Sequence, residues 1–279
     1  MKEIHNSPAP ELANLLPVDT PLYAMLRRIL RTPCRFIVTD EQNYIVCHSE
    51  YPFPVWVWTS EDMADEDLGR AKELLEKELT AWDLAQSGGE QIHVNMETTL
   101  AMRIISELAS TPTPLAIKHR INVYDCPAPK KPVAEVKGAC VPATEDDFHI
   151  AHEMMRHFFL ESAIDNLPES EQRKKAEVFI FAKRFFFWKN EEGEPVAMCL
   201  FTDNGDGSES LNNVFTMPAQ RRKGYASALV YEVSQMILKK EHMPMLYTDA
   251  GYEASNKCYE KLGFNRRGSL CTLVPQPKA

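Results

Sequence analysis

Three prolines fall within the eight residues Asp125-Cys126-Pro127-Ala128-Pro129-Lys130-Lys131-Pro132, and no apolar period runs through them. Proline fixes φ and donates no backbone hydrogen bond, so a regular helix or central strand cannot run across such a stretch. The chain is thereby expected to fold as two domains, residues 1–126 and 138–279, joined by a linker over 127–137. Its length of 279 residues agrees, at roughly 150 residues per domain. With 44% hydrophobic and 25% charged residues, each half has the material for a core, and a disordered chain is excluded.

Charge is distributed unevenly between these parts. The formal net charge is −9, yet Leu211 to Ala279 carries ten Lys and Arg against five Asp and Glu, a local balance of +5 that leaves −14 for residues 1–210. An acidic chain is a poor general ligand for nucleic acid, whose affinity rests on neutralised phosphates. A basic last quarter on an acidic body points instead to one anion held near that end. No run approaches the roughly 18 apolar residues of a membrane span, and Met1 to His5 shows no secretory apolar core. The seven cysteines, Cys34, Cys47, Cys126, Cys140, Cys199, Cys258 and Cys271, include no C-x-x-C pair. A soluble, cytoplasmic protein with reduced thiols is expected, without nucleic-acid or membrane partners, as a monomer or homodimer.

Periodicity predicts a mixed α and β N-terminal part. Leu22, Met25, Leu26, Ile29 and Leu30 repeat at helical spacing, strand-like runs cover 35–38, 44–47 and 55–58, and further helices are predicted through Leu68, Ala71, Leu75 and Leu79 and over 98–108. Trp56 and Trp58 alternate with Val55 and Val57, which leaves room for one of them to be exposed at an interface or pocket, packing being the more frequent explanation. Beyond the linker the order is a short strand at 138–142 and a helix capped by Thr144 and Asp147. A helix over 169–183, a hairpin over 184–202 and a strand at 210–216 follow. Then come a long helix with Ala226, Leu229, Val230, Val233, Met236 and Ile237 on one stripe, a strand at 245–248, a helix at 254–262 and a strand at 269–274.

The most informative stretch is Val214-Phe215-Thr216-Met217-Pro218-Ala219-Gln220-Arg221-Arg222-Lys223-Gly224-Tyr225-Ala226, which leaves a strand, turns and enters the long helix. A helix start presents unpaired N–H groups and about half a positive charge. Gly224 lets a ligand approach the backbone, and Arg221, Arg222 and Lys223 add cationic charge, so the junction suits a phosphate or pyrophosphate. No metal site is expected. His152 and His157 are five residues apart, which on a helix turns about 500° and leaves them roughly 140° out of register. His149 and His152 share a face but have no third ligand.

The junction resembles the acyl-CoA signature of the GNAT acetyltransferase superfamily, Arg/Gln-x-x-Gly-x-Gly/Ala, matched by Arg221, Gly224 and Ala226. Downstream, the strand Leu246 to Ala250 and the segment Ser255-Asn256-Lys257-Cys258-Tyr259-Glu260-Lys261-Leu262-Gly263-Phe264 resemble the family's terminal segment, and the likeness covers residues 138–279. It implies an α/β (α+β) GNAT fold, a mixed, mostly antiparallel sheet flanked by helices, preceded here by a smaller α/β domain. It also implies an N-acetyltransferase that uses acetyl-CoA and an amine acceptor. By that resemblance Val214, Phe215 and Thr216 lie along the pantetheine arm. Arg221, Arg222, Lys223, Gly224, Tyr225, Ala226 and Ser227 hold the pyrophosphate, Asn256 touches the arm, and Tyr259 is the general acid.

Two departures from the family pattern bear on mechanism. Tyr252 stands where many relatives carry an Asn, and the strand that bears a carboxylate base in some relatives offers Asn212 and Asn213, with Glu209 the nearest acid upstream. A non-catalytic acyl-CoA-binding or sensor module on the same fold is therefore the alternative reading. The acidic body favours a cationic acceptor. The N-terminal part is compatible with a divergent second copy of the fold. It lacks the signature and is not expected to bind acyl-CoA itself; its expected role is to close the acceptor side and set specificity.

Overall fold

A computed structural model of the chain describes residues 2–50, 53–61, 92–108, 114–162 and 167–276, together with residues 69, 73 and 77. The helix expected through Leu68, Ala71, Leu75 and Leu79 lies outside the described residues. Contacts divide the chain into two compact units, one of Met1–Val123 with Arg267–Ala279 and one of Tyr124–Arg266.

The first unit contains β1 (Lys2–Ile4), α1 (Ala24–Leu30), β2 (Phe36–Thr39), β3 (Tyr44–His48), β4 (Val55–Thr59), β5 (Val94–Glu97), α2 (Thr98–Leu108) and most of β6 (Leu115–Asp125). Strands β1 to β4 form an antiparallel meander and β5 joins β4 in parallel. Strand β4 is thus interior, with both faces covered. Packing, the more frequent explanation for the pair, holds for both tryptophans: Trp56 and Trp58 are 2% and 4% accessible. Val55 and Val57 enter the core that lies against α2, with Leu100, Ala101 and Ile104.

The second unit contains β7 (Ala139–Pro142), α3 (Phe148–Glu161), α4 (Glu169–Phe181), β8 (Phe185–Lys189), β9 (Pro195–Asp203), β10 (Ser208–Thr216), α5 (Tyr225–Leu238), β11 (Met243–Asp249) and α6 (Glu253–Lys261). Strands β7 to β10 pair antiparallel in sequence order, and β11 adds to β10 in parallel after the α5 crossover. The first unit shows the same pairing order, antiparallel followed by one parallel addition. Side chains of a strand alternate between faces, and β8 divides its aromatics accordingly. Phe185 and Phe187 pack under α3 and α4 with Met155, Phe159 and Ile180. Phe186 and Trp188 pack under α5 with Leu229, Val233 and Ile237. This sheet is buried on both sides.

Two boundaries differ from the sequence expectation. The last strand, β12 (Asn265–Pro275), counts with the first unit from Arg267 onward, because Leu270, Cys271, Thr272 and Leu273 pair antiparallel with Glu97, Met96, Asn95 and Val94 of β5. Residues 127–137 are not a free linker. The Cys126 and Lys130 N–H groups donate to the carbonyls of Pro244 and Leu262, both at 2.8 Å, and the Trp188 indole donates to the Lys137 carbonyl at 3.0 Å. The proline-rich segment is an extended strap laid on the second unit. Proline removes donors that a sheet would need but leaves the remaining N–H groups able to make single anchoring bonds.

Candidate functional site

Strand β10 changes character halfway along. Its parallel ladder with β11 runs from Ser208 opposite Met243 to Leu211 opposite Leu246 and ends there, although β10 continues to Thr216 and β11 to Asp249. On its other edge the register with β9 shifts between Asn212 and Phe215, and Asn213 takes the left-handed φ of 46°. One extra residue bends a strand and increases its local twist, which carries β10 away from β11. The main chain of Asn212 to Thr216 on the β11 side therefore lies outside that ladder, and an extended ligand finds there the hydrogen-bonding edge of a strand.

The bent strand delivers the chain into the turn that starts α5. Pro218–Gln220 form a single 3-10 turn, Arg222 has φ 64°, and Gly224, at the N-cap, has φ 84°. No side chain caps α5 and its first turn holds no acidic residue, so the N–H groups of Tyr225, Ala226 and Ser227 lack the usual capping acceptor. A Cβ at Gly224 would lie 2.9 Å from Val136 Cγ2, on the strap. Glycine is required there by conformation and by space. The helix start is thus an uncapped, positively polarised concavity suited to an anion.

The three cations differ in their surroundings. Arg221 does not act as mobile charge: Nε donates to the Thr216 carbonyl at 3.1 Å, a terminal nitrogen meets Glu161 Oε2 of α3 at 2.6 Å, and the guanidinium lies 5.4 Å over the Phe215 ring. Its side chain braces the turn against β10 and α3. Lys223 Nζ donates to Gln220 Oε1 at 2.8 Å, and Arg222 is exposed with no partner among the described residues. Phe215 is buried, while Val214 and Thr216 are half-buried on the bent part of β10.

Helix α6 brings the remaining candidates to this end of the unit. Ser227 Oγ and Cys258 Sγ are 3.2 Å apart, which ties α6 to the first turn of α5. Tyr259, the next residue, is 9% exposed, packs with Leu229, Leu246 and Leu262, and has its ring 5.7 Å from that of Phe264. Burial pushes its hydroxyl well above the ordinary tyrosine range, against a smaller opposing effect of the Ser255 hydroxyl, so it holds its proton at neutral pH.

Asn256 is otherwise occupied. Its amide nitrogen donates to the carbonyls of Asp249 and Tyr252 at 2.8 and 2.9 Å, and its Oδ1 accepts from the Tyr124 hydroxyl at 3.1 Å. These bonds tie the β11–α6 loop closed, and they engage the side chain that the resemblance places on the pantetheine arm. Tyr252 is 63% exposed in that loop.

Glu209 is in the closed half of β10, about four residues or ~13 Å of strand before the bulge. Its buried carboxylate meets Lys240 Nζ at 3.2 Å and His242 Nδ1 at 2.9 Å, which makes it an anchor for the end of α5. Sequence reasoning missed two residues that α3 contributes. Glu161 holds Arg221, and the His157 ring stacks on Phe215 at 6.5 Å and 9°. Neither has a local signal, because each depends on a contact about sixty residues away in sequence. His152 stacks on Phe148 at 6.3 Å, and among the described residues no group of three His, Cys, Asp or Glu side chains is placed to hold a metal.

Comparison with known proteins bears on the second unit most directly. Residues 151–264 match the sequence profile of the Acetyltransferase (GNAT) family. Curated proteins gave no sequence match. The structure is similar to a solved Drosophila protein at 12% identity and TM-score 0.67, covering 100% of this chain and 99% of that one. It is also similar to an acetyltransferase from the GNAT family of Colwellia psychrerythraea, at 12% identity and TM-score 0.61 over 100% of both chains. A GCN5-related N-acetyltransferase from Kribbella flavida matches at 14% identity and TM-score 0.63, over 97% and 96% of the two chains. At these identities the likeness is one of fold, and it extends over the whole chain.

Proposed function

Residues 151–264 being a GNAT acetyltransferase-family domain, we propose that the protein transfers the acetyl group of acetyl-CoA to the amine of a small cationic molecule or peptide by direct attack. The observation that carries this reading is the early end of the β10–β11 ladder beside an uncapped helix start whose N-cap is Gly224. The pyrophosphate would rest on the main chain of Arg222 to Ser227. The pantetheine arm would run back along Thr216, Phe215 and Val214, pairing with main chain that β11 has left. Arg221 shapes this cradle through Thr216 and Glu161, and Arg222 and Lys223 supply the exposed charge.

The chemistry needs a neutral amine, a stabilised oxyanion and a proton for the leaving thiolate. The amine lone pair forms the C–N bond at the thioester carbonyl carbon, and the C–S bond breaks with its electron pair on sulfur. Tyr259 donates its proton to that sulfur, and the proton lost by nitrogen passes through solvent to restore the phenol. Burial keeps the phenol protonated and also makes it a weaker acid, so the transfer requires the thiolate to form directly beside it. The acidic character of residues 1–210 supports a cationic acceptor by raising its local concentration.

One observation favours a second reading, acyl-CoA binding without turnover: Glu209, the nearest acid on β10, is committed to Lys240 and His242. Thiol release from acetyl-CoA, measured over polyamines, aminoglycosides, amino acids and peptides, separates the two. Acceptor-dependent release is expected, and Tyr259→Phe should lower kcat by about 10²-fold, the size of a general-acid effect, with acetyl-CoA affinity unchanged. Binding of acetyl-CoA with no release for any acceptor would establish the sensor reading.

A further inference from the structure

Asn213 is the residue at which β10 leaves its ladder, and it is costly as placed. Its φ is 46°, it is 7% exposed, and its Oδ1 is buried without a hydrogen-bond partner among the described residues. Left-handed backbone disfavours every side chain, Asn less than most. A buried acceptor without a donor also gives up the hydration it had in the unfolded chain. Glycine would hold the same φ with neither cost. The preceding Asn212 shows what an amide does on this strand when the fold supplies partners: its Nδ2 donates to Thr202 Oγ1 and to the Ser210 carbonyl, both at 2.9 Å. The acceptor of Asn213 is left open for a donor that a ligand would bring.

The direction of the bound donor substrate identifies that ligand. With the pyrophosphate at Arg222 to Ser227 and the arm running back through Thr216, Phe215 and Val214, the thioester end reaches Asn213 last. What remains to be held beyond the thioester is the attacking amine. We infer that the Asn213 side chain accepts an N–H of the acceptor amine and aims the nitrogen lone pair at the thioester carbonyl. The inference rests on the acetyl-CoA reading above. An amide oxygen accepts a hydrogen bond but does not take the proton, so Asn213 orients the amine and does not serve as its base. The proton released as the C–N bond forms goes to solvent.

The test compares Asn213→Gly and Asn213→Asp with the wild type, using as probe the polyamine, aminoglycoside, amino acid or peptide that the wild type acetylates fastest. Gly suits the observed φ and removes only the amide, and Asp keeps both the shape and the accepting oxygen. Asn213→Gly is expected to lose at least tenfold in kcat/KM for the amine, mainly in KM, with the acetyl-CoA dissociation constant within twofold of wild type. Asn213→Asp is expected to restore the amine KM to within threefold and to add a carboxylate limb to the pH profile. Wild-type kinetics in the Gly variant, or an Asp variant as poor as the Gly one, would overturn the inference. Weakened acetyl-CoA binding in the Gly variant would also overturn it, by assigning the amide to the pantetheine arm. Failure of the wild type itself to bind acetyl-CoA would be seen without any variant, and would remove the donor reading and this inference together.

Discussion

Gly224 combines a positive φ of 84° with a space that Val136 closes to 2.9 Å, so its substitution acts on both the backbone and the strap. Gly224→Ala should cost about 1–3 kcal/mol from the left-handed conformation alone, read by urea denaturation. Acetyl-CoA affinity, read by calorimetry, should fall at least tenfold, because the amides proposed to face the phosphates move with this residue. Wild-type affinity in a folded variant would show that the helix start does not hold the donor. The left-handed helix start at Gly224 was legible in the sequence because the motif states what the local backbone must do there. The task of Arg221 was not, since its partners Thr216 and Glu161 are brought to it by packing. Asn256 lies near the family's Asn position, which is Tyr252 here, and its three hydrogen bonds to a loop and to Tyr124 come from folding that the local sequence does not show.

Elements were readable where their signals are local. The 3-10 turn Glu145–Asp147 that leads into α3 is an example: Thr144 with Asp147 three residues later is a capping box, and the Thr144 N–H and Oγ1 both donate to Asp147 Oδ2, at 3.0 and 2.9 Å. Partial burial raises the Asp147 pKa, but the Thr144 hydrogen bonds and Lys189 at 3.1 Å outweigh it and hold the carboxyl below the ordinary range. A lowered folded pKa contributes stability that is present above the unfolded value of about 3.9 and is lost as pH falls through the folded value. Asp147→Asn should therefore cost about 1 kcal/mol above pH ~5, the size of a lost cap, and the gap to wild type should narrow as pH falls below the unfolded value. A gap independent of pH in paired denaturation curves would assign the loss to packing. The bulge in β10 gave no such signal. Register is a relation between two strands, and nothing within 208–216 reveals where β9 slips against it.

For the whole molecule, composition and the proline run indicated two parts, and the contacts place the division three residues earlier, between Val123 and Tyr124. The end of the chain was misplaced because a strand's sequence shows its alternation and not its neighbour; β12 takes β5 as partner. A chain ending at Arg266 should accordingly lose the order of residues 1–123 first, with faster proteolysis there, while Tyr124–Arg266 keeps its protection. Equal protection of both segments would show that β12 is dispensable to the first unit. Among the described residues no helix is long and apolar enough to cross a membrane. The strap has a practical consequence for anyone who would recombine this protein. Its prolines invite a cut between 127 and 137, yet Lys130 is bonded to the Leu262 carbonyl and Ala128 O would lie 2.6 Å from any Cβ at Gly263. A chimera, split reporter or affinity tag joined inside the proline run would sever the cover of the C-terminal turn, whereas a junction at Val123 leaves that closure intact.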